Sequence, residues 1–421
     1  MKTTALRLYG KKDLRLESFA LPAIKDNELL VKIISDSLCM SSYKAAQQAE
    51  SHKRVPYDIS SNPTIVGHEF CAEIVEVGEG LAGQFAVGQR IALQPAMRDT
   101  YDAVGYSFPH MGGCATYGIV PECYIEQGCV LPYDGNAYFA GSLAEPLSCV
   151  IGAMHASYHT ELGSYQHNME IKRGGSMAVL AGVGPMGLAL IDYTLHREHK
   201  PAKLVVTDID ERRLARAAEI LPPEEAKRCG VELIYLNTAA VRPVAALKKY
   251  APEGYDDVFV FAPVAAVVEQ ADAVLGYDGC LNFFAGPTDT DFSARFNFYN
   301  VHYNATHIAG TSGGNTDDMR EALDMAAKGL LNPAMLVTHI GGLDAAKQAT
   351  LGLPDIPGGK KLIYTHISLP LTAISDFEEL GETDVLFGEL GRICKEHGGL
   401  WNADAEKYLL ENATPLSAVI Q

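Results

Sequence analysis

Ser176-Met177-Ala178-Val179-Leu180-Ala181-Gly182-Val183-Gly184-Pro185-Met186-Gly187 is the stretch that decides the fold. Its first six residues read as an apolar strand, and Met186 to Leu195 carries a helical apolar pattern. Between them stand three glycines in GxGxxG spacing. A strand, a glycine turn and a helix in that order form the setting in which such a turn holds a pyrophosphate. Gly182 permits the tight turn, Gly184 lets the backbone approach the ligand, and Gly187 lets helix and strand pack closely. Val183, Pro185 and Met186 complete the loop, and the helix N-terminus favours negative charge. Working outward, Leu204 to Asp208 is the next strand and Arg212 to Ile220 the next helix. Asp256 to Phe261 and Cys280 to Ala285 continue the alternation. Strands alternating with helices imply an α/β unit with a doubly wound parallel sheet, because parallel neighbours need crossover connections.

Asp208 lies 26 residues beyond Gly182. A carboxylate there accepts hydrogen bonds from both ribose hydroxyls and repels a 2′-phosphate, which favours NAD(H) over NADP(H). Arg212 and Arg213 stand close enough in sequence to pair with such a phosphate, so NADP(H) stays open.

The first 150 residues have a different texture. Leu29 to Ile34 reads as a buried strand and Ala72 to Val77 alternates with period two. Gly78, Gly80, Gly83 and Gly88 punctuate a β-rich, barrel-like region. After the nucleotide region, Asp317 to Lys328 reads as a helix and Lys360 to Tyr364 as a late strand. The tail from His366 to Gln421 carries no readable motif. The expected organisation is a discontinuous β-rich domain, residues 1–153 and 317–421, interrupted by a nucleotide-binding domain over 154–316.

Composition narrows the class of function. The chain has 421 residues and a formal charge of −18, which disfavours a nucleic-acid or anionic-membrane partner. No apolar run reaches the roughly 18 residues of a membrane span, and the N-terminus does not read as a signal peptide. Nine cysteines without framework spacing fit a reducing compartment, so the cytoplasm is expected.

Three segments ahead of the nucleotide turn carry metal-ligand residue types: Cys39 in Cys39-Met40-Ser41-Ser42, His68 in Gly67-His68-Glu69, and Glu145 in Ala144-Glu145-Pro146-Leu147. A thiolate, an imidazole and a carboxylate give zinc three protein ligands and leave a fourth position open to polarise an alcohol or carbonyl oxygen. Each residue taken singly is more often structural; the combination carries the reading. Cys149, one helical turn after Glu145, competes as third ligand. Glu69 is a candidate to support His68 or to exchange onto the metal. Between Gln94 and Ile125 only Cys114 and Cys123 occur, too few for a closed four-ligand site, so one catalytic zinc and no structural zinc is expected.

The order Cys39, Gly67-His68-Glu69, Gly112-Gly113, Ala144-Glu145-Pro146, then Gly182 to Gly187 resembles the zinc-dependent medium-chain dehydrogenases. A glutamate in third ligand position is similar to the sorbitol dehydrogenase branch. More narrowly, Ser37 to Lys44, Gly141 to Cys149, Phe283 to Thr288 and Gly310 to Thr316 resemble the sorbose-1-phosphate reductases, a likeness running to about His366. The resemblance implies a GroES-like catalytic domain around a Rossmann domain, with Cys39, His68 and Glu145 as zinc ligands. It also implies a proton-relay hydroxyl at Ser41, and pairing into a homodimer or homotetramer through nucleotide-sheet edges. Two positions depart from the wider family. Ser42 stands where most members have the aspartate that supports the metal histidine, and Tyr43 and Lys44 replace other polar groups near the relay exit.

A small-molecule sugar-phosphate substrate is the expected specificity. Lys44, His52, Lys53 and Arg54 form a basic cluster just after a ligand candidate, and in so acidic a chain such a local reversal can capture a phosphate. The alternative for these residues is a solvated charged loop. Two other functions compete: an unphosphorylated polyol or secondary-alcohol dehydrogenase, and a non-catalytic redox sensor that binds dinucleotide.

Overall fold

Every pairing in the sheet that contains the glycine turn is parallel. Its six strands lie in the order Glu232–Asn237, Lys203–Asp208, Ser176–Leu180, Tyr255–Val260, Leu275–Phe283, His307–Ala309. Helices including Pro185–His196, Glu211–Ile220 and Ala265–Val274 make the crossovers. Central strands are buried on both faces, which is why Val179, Val205, Val206, Val258 and Phe259 form near-continuous apolar runs. Strand order reverses between Ser176–Leu180 and Tyr255–Val260, the switch point beyond whose carboxyl ends such sheets bind ligands.

The fifth strand begins five residues before the expected Cys280. Its first part is polar and glycine-rich, and Asp278 has a left-handed φ of 55°. The register therefore shifts, with Tyr255 opposite Leu275 but Asp257 opposite Cys280. The period-two signal is lost across that irregularity.

The computed structural model describes residues 1–416, and residues 417–421 lie outside the described residues. The chain divides at Glu145/Pro146 and Asp318/Met319: Pro146–Asp318 forms the nucleotide-turn unit, and Met1–Glu145 joins the chain from Met319 onward in the other.

That second unit is built on an eight-stranded sheet. Its path runs Thr372–Ala373, Val337–Gly342, Lys360–Tyr364, Leu29–Ser37, Phe70–Val77, Arg90–Leu93, Val130–Pro132, with Tyr117–Val120 also paired to Leu29–Ser37. Lys360–Tyr364 pairs antiparallel with Ser35 to Ser37, so a strand from late in the chain sits directly beside the segment that leads into Cys39. Leu29, Val31, Ile33, Phe70, Ala72, Ile74 and Ile91 form a core on one face, alternating along each strand.

The tail contains the helices Val385–Glu396 and Ala403–Asn412. Between them Trp401, the only tryptophan, is fully buried and donates its Nε1–H to the Tyr364 hydroxyl at 2.8 Å. The tail thus packs onto the late strand as part of this unit.

Candidate metal centre

Cys39 is the N-cap of helix Met40–Gln48, in extended conformation, and its Sγ accepts the Ser41 N–H at 3.5 Å. Unpaired N–H groups at a helix start favour a thiolate. The Ser41 hydroxyl also lies 3.5 Å from that sulfur.

His68 follows Gly67, whose φ of +95° is left-handed. A Cβ at Gly67 would sit 2.5 Å from both Asp36 Oδ2 and the Cys114 backbone nitrogen, so conformation and space both demand glycine. The imidazole is buried. Its Nδ1 lies 3.3 Å from the Ser42 hydroxyl and its Nε2 3.5 Å from the Tyr106 hydroxyl. Ser42 therefore gives the ring a hydroxyl partner at this nitrogen.

Ligand atoms of Cys39, His68 and Glu69 all lie within 4.8 Å of one another, the one such group among the described residues. Glu69 is held from two sides. Its N–H donates to Asp36 Oδ1 at 3.1 Å, and its carboxylate accepts the Lys360 ammonium at 2.5 and 2.7 Å. Glu145 stands outside that 4.8 Å group, in the first turn of helix Ala144–Ala156. Burial, and then the nearby Glu69, push its carboxyl up to about 7. Burial and Glu69 likewise raise the Cys39 thiol. Sulfur, nitrogen and oxygen donors crowd together here, and burial favours the protonated thiol and carboxyl over their anions. A bound dication of the kind that takes S, N and O ligands fits that donor set.

Lys360 and Tyr106 escaped sequence reading. A lysine pair opening an otherwise apolar strand was the available signal for Lys360. Tyr106 had none, because its role depends on distant loops. Its ring lies 5.1 Å from His68, stacks on His52 at 5.4 Å and 5°, and carries the Arg54 guanidinium 5.7 Å from its centre. Gly105 makes this approach possible: a Cβ there would be 2.4 Å from Gly67 O. The Ser107 hydroxyl locks the loop by donating to Arg54 O at 2.6 Å. Burial and then Arg54, Lys53 and Lys44 lower the His52 imidazole, so these cations share one neighbourhood.

In the nucleotide-turn unit, a Cβ at Gly182 would meet Val179 Cγ1 at 2.5 Å, and one at Gly187 would meet Gly182 O at 2.0 Å. One at Gly184 would lie 3.2 Å from Arg213 Nη2, which places that guanidinium against the turn. Val183 is buried, and Pro185 opens the helix between the half-buried Gly184 and Met186. Asp208 is buried and its Oδ1 accepts the N–H groups of Ile209 and Asp210 at 2.8 and 3.1 Å. Asp210 caps the next helix by accepting from the Arg212 and Arg213 N–H groups.

Both units match known families. Residues 25–129 match the alcohol dehydrogenase GroES-like domain and residues 185–328 the zinc-binding dehydrogenase. The chain therefore belongs to the zinc-dependent medium-chain dehydrogenase/reductase family, with a GroES-like domain and a Rossmann domain. It is 55% identical over 413 residues to mannitol-1-phosphate 5-dehydrogenase of Aliivibrio fischeri, covering 97% of this chain and 98% of that protein. It is 46% identical over 417 residues to L-sorbose 1-phosphate reductase of Klebsiella pneumoniae, covering 99% of each. Among solved structures, 2R,3R-butanediol dehydrogenase from Bacillus subtilis has the same fold, with a TM-score of 0.70 at 21% identity over 86% of this chain and 99% of that one.

Proposed function

We propose that this chain is a zinc-dependent oxidoreductase that transfers hydride between NAD(P)H and a ketose or polyol phosphate, of the L-sorbose 1-phosphate to D-glucitol 6-phosphate type. The observation that carries the reading is Tyr106: its hydroxyl faces His68 while its ring carries His52 and Arg54. A carbonyl site and an anion site thus share one aromatic wall.

Cys39 and His68 would hold the zinc with a carboxylate as third ligand. Glu145 is our assignment; Glu69, already ion-paired with Lys360, would stand by as an exchangeable ligand. We assign one zinc, to the donor group that contains Cys39 and His68. When bound, the ion supplies Lewis acidity to the substrate oxygen. Ser41, beside the Cys39 sulfur, would pass the proton. Arg54 and Lys44 would orient the phosphate, and the acidic remainder of the surface would disfavour anions elsewhere. The turn from Gly182 to Gly187 would hold the cofactor pyrophosphate. Asp208 favours NAD(H), and Arg213, lying against Gly184, keeps NADP(H) within reach.

We further propose a homodimer or homotetramer in the cytoplasm. His307–Ala309 pairs within its sheet with Leu275–Phe283, and Ile308, Phe298, Tyr299 and Tyr303 nearby expose apolar surface. No described helix is long and apolar enough to cross a membrane. The nine cysteines form no disulfide among the described residues.

Steady-state turnover on matched ketoses with and without phosphate, using both reduced nicotinamides, tests the proposal. Turnover of phosphorylated ketoses with far lower KM supports it. Equal turnover of both series leaves an ordinary polyol dehydrogenase, and tight NAD(H) binding without hydride transfer leaves a redox sensor.

A further inference from the structure

The tail contributes a buried acid to the interior of the catalytic unit, and its partners lead to the metal centre by two routes. Glu406, on helix Ala403–Asn412, is 2% exposed. Its Oε2 accepts the Tyr138 N–H at 2.6 Å and its Oε1 the Phe139 N–H at 2.8 Å. The same Oε1 accepts the Tyr364 hydroxyl at 2.8 Å, which in turn accepts from Trp401.

Tyr138 and Phe139 open the short helix Tyr138–Ser142, three residues before Glu145. Its far end is tied down separately: the Ser142 hydroxyl donates to Ser35 O at 3.0 Å, on the strand that leads to Cys39. Its middle touches the sheet so closely that a Cβ at Gly141 would be 2.6 Å from Cys71 Sγ. The other route is Tyr364, which ends the strand that begins with Lys360, the partner of Glu69. One carboxylate therefore ties the helix that precedes Glu145 to the strand that carries the Lys360 partner of Glu69.

We propose that Glu406 is a positioning residue for the metal centre, holding Glu145 through helix Tyr138–Ser142 and Glu69 through the strand Lys360–Tyr364. The inference rests on the proposed zinc site. Glutamine at 406 keeps the side-chain shape but turns an NH2 toward one of three donors, which leaves two donors facing each other. The carboxylates then lose their registration with Cys39 and His68, and the ion is held less well.

The test uses full-length, zinc-loaded protein and the variants Glu406→Gln, Tyr364→Phe and Leu390→Ala. Leu390 is fully buried on helix Val385–Glu396 and serves as a control that destabilises the tail without touching these hydrogen bonds. The readouts are zinc loss to a chelator at a temperature where each variant is folded, and the visible spectrum of the cobalt(II)-substituted proteins. Glu406→Gln is expected to release zinc about tenfold faster and to shift the cobalt bands; Tyr364→Phe should do so to a smaller degree and Leu390→Ala not at all. Wild-type retention by Glu406→Gln, or equally fast loss from Leu390→Ala, overturns the positioning role alone. If Glu406→Gln fails to fold, Tyr364→Phe decides on the same criteria. A wild-type chain that binds no zinc overturns both this inference and the metal site beneath it.

Discussion

Lys360 donates to both carboxylate oxygens of Glu69, at 2.5 and 2.7 Å, and both side chains are buried. Such a pair gains little over a well-packed apolar one, but breaking it strands a charge in a low-dielectric interior. Lys360→Met should therefore destabilise the protein by about 3–5 kcal/mol in denaturant unfolding. Adding Glu69→Gln to that variant should recover a large part of the loss. No recovery would mean that Lys360 acts through packing rather than charge.

The wild-type protein should contain one zinc per chain, and Cys39→Ala and His68→Ala should contain almost none. Glu145→Ala is expected to lose zinc affinity by about 10–100-fold, with activity falling at least as far, whereas Cys149→Ala keeps both. Elemental analysis and turnover on the same preparations decide between the two residues. Loss of zinc from Cys149→Ala with retention in Glu145→Ala would reverse the assignment of the third ligand.

Arg54 lies over the Tyr106 ring, and its neighbours Lys53 and Lys44 act on the same His52. Replacing Arg54 or Lys44 with alanine should raise KM for a phosphorylated ketose by about 10-fold or more, the worth of one charge-assisted hydrogen bond. KM for the unphosphorylated analogue should change little. Parallel increases would remove the phosphate-binding role.

Cofactor choice should turn on two side chains. Asp208→Ser is expected to improve NADPH relative to NADH by about tenfold, by removing a carboxylate that repels the 2′-phosphate. Arg213→Ala should weaken NADPH more than NADH. The ratio of kcat/KM values for the two cofactors is the measurement, and an unchanged ratio in both variants would discard this account of selectivity.

His366 supplies a pH prediction. Burial first, and Lys32 next, push its imidazole down to about 4, and its Nε2 lies 3.0 Å from Thr116 O. Between that value and the ordinary histidine range the unfolded chain binds a proton that the native protein does not. Stability from this group is thus complete above the ordinary range and is lost as pH falls through it toward 4. From pH 7 to about pH 5 the loss is about 2 kcal/mol. His366→Gln keeps a donor for Thr116 O, so its stability should fall less than the wild type's over that interval. Identical slopes in denaturant unfolding would refute the buried neutral ring.

Some of this protein was fixed by short-range chemistry. The strand Ser176–Leu180, the turn from Gly182 to Gly187 and the helix Pro185–His196 follow from local apolar periodicity and from positions where only glycine fits. Gly67 before His68 and Cys39 at a helix start are of the same kind, since a backbone angle or an N-cap is decided within a few residues. The contacts of Lys360 with Glu69, Tyr106 with Arg54, and Glu406 with Tyr138 belong to the other kind. They join residues 291, 52 and 268 positions apart, or close a loop between irregular segments. Periodicity describes which face of an element is apolar, but not which distant group will meet a buried charge. Sequence alone therefore determined the candidate ligand types and the glycine turn. Only the tertiary structure decided the electrostatic balance around them, because charges are paired by proximity in space and not along the chain.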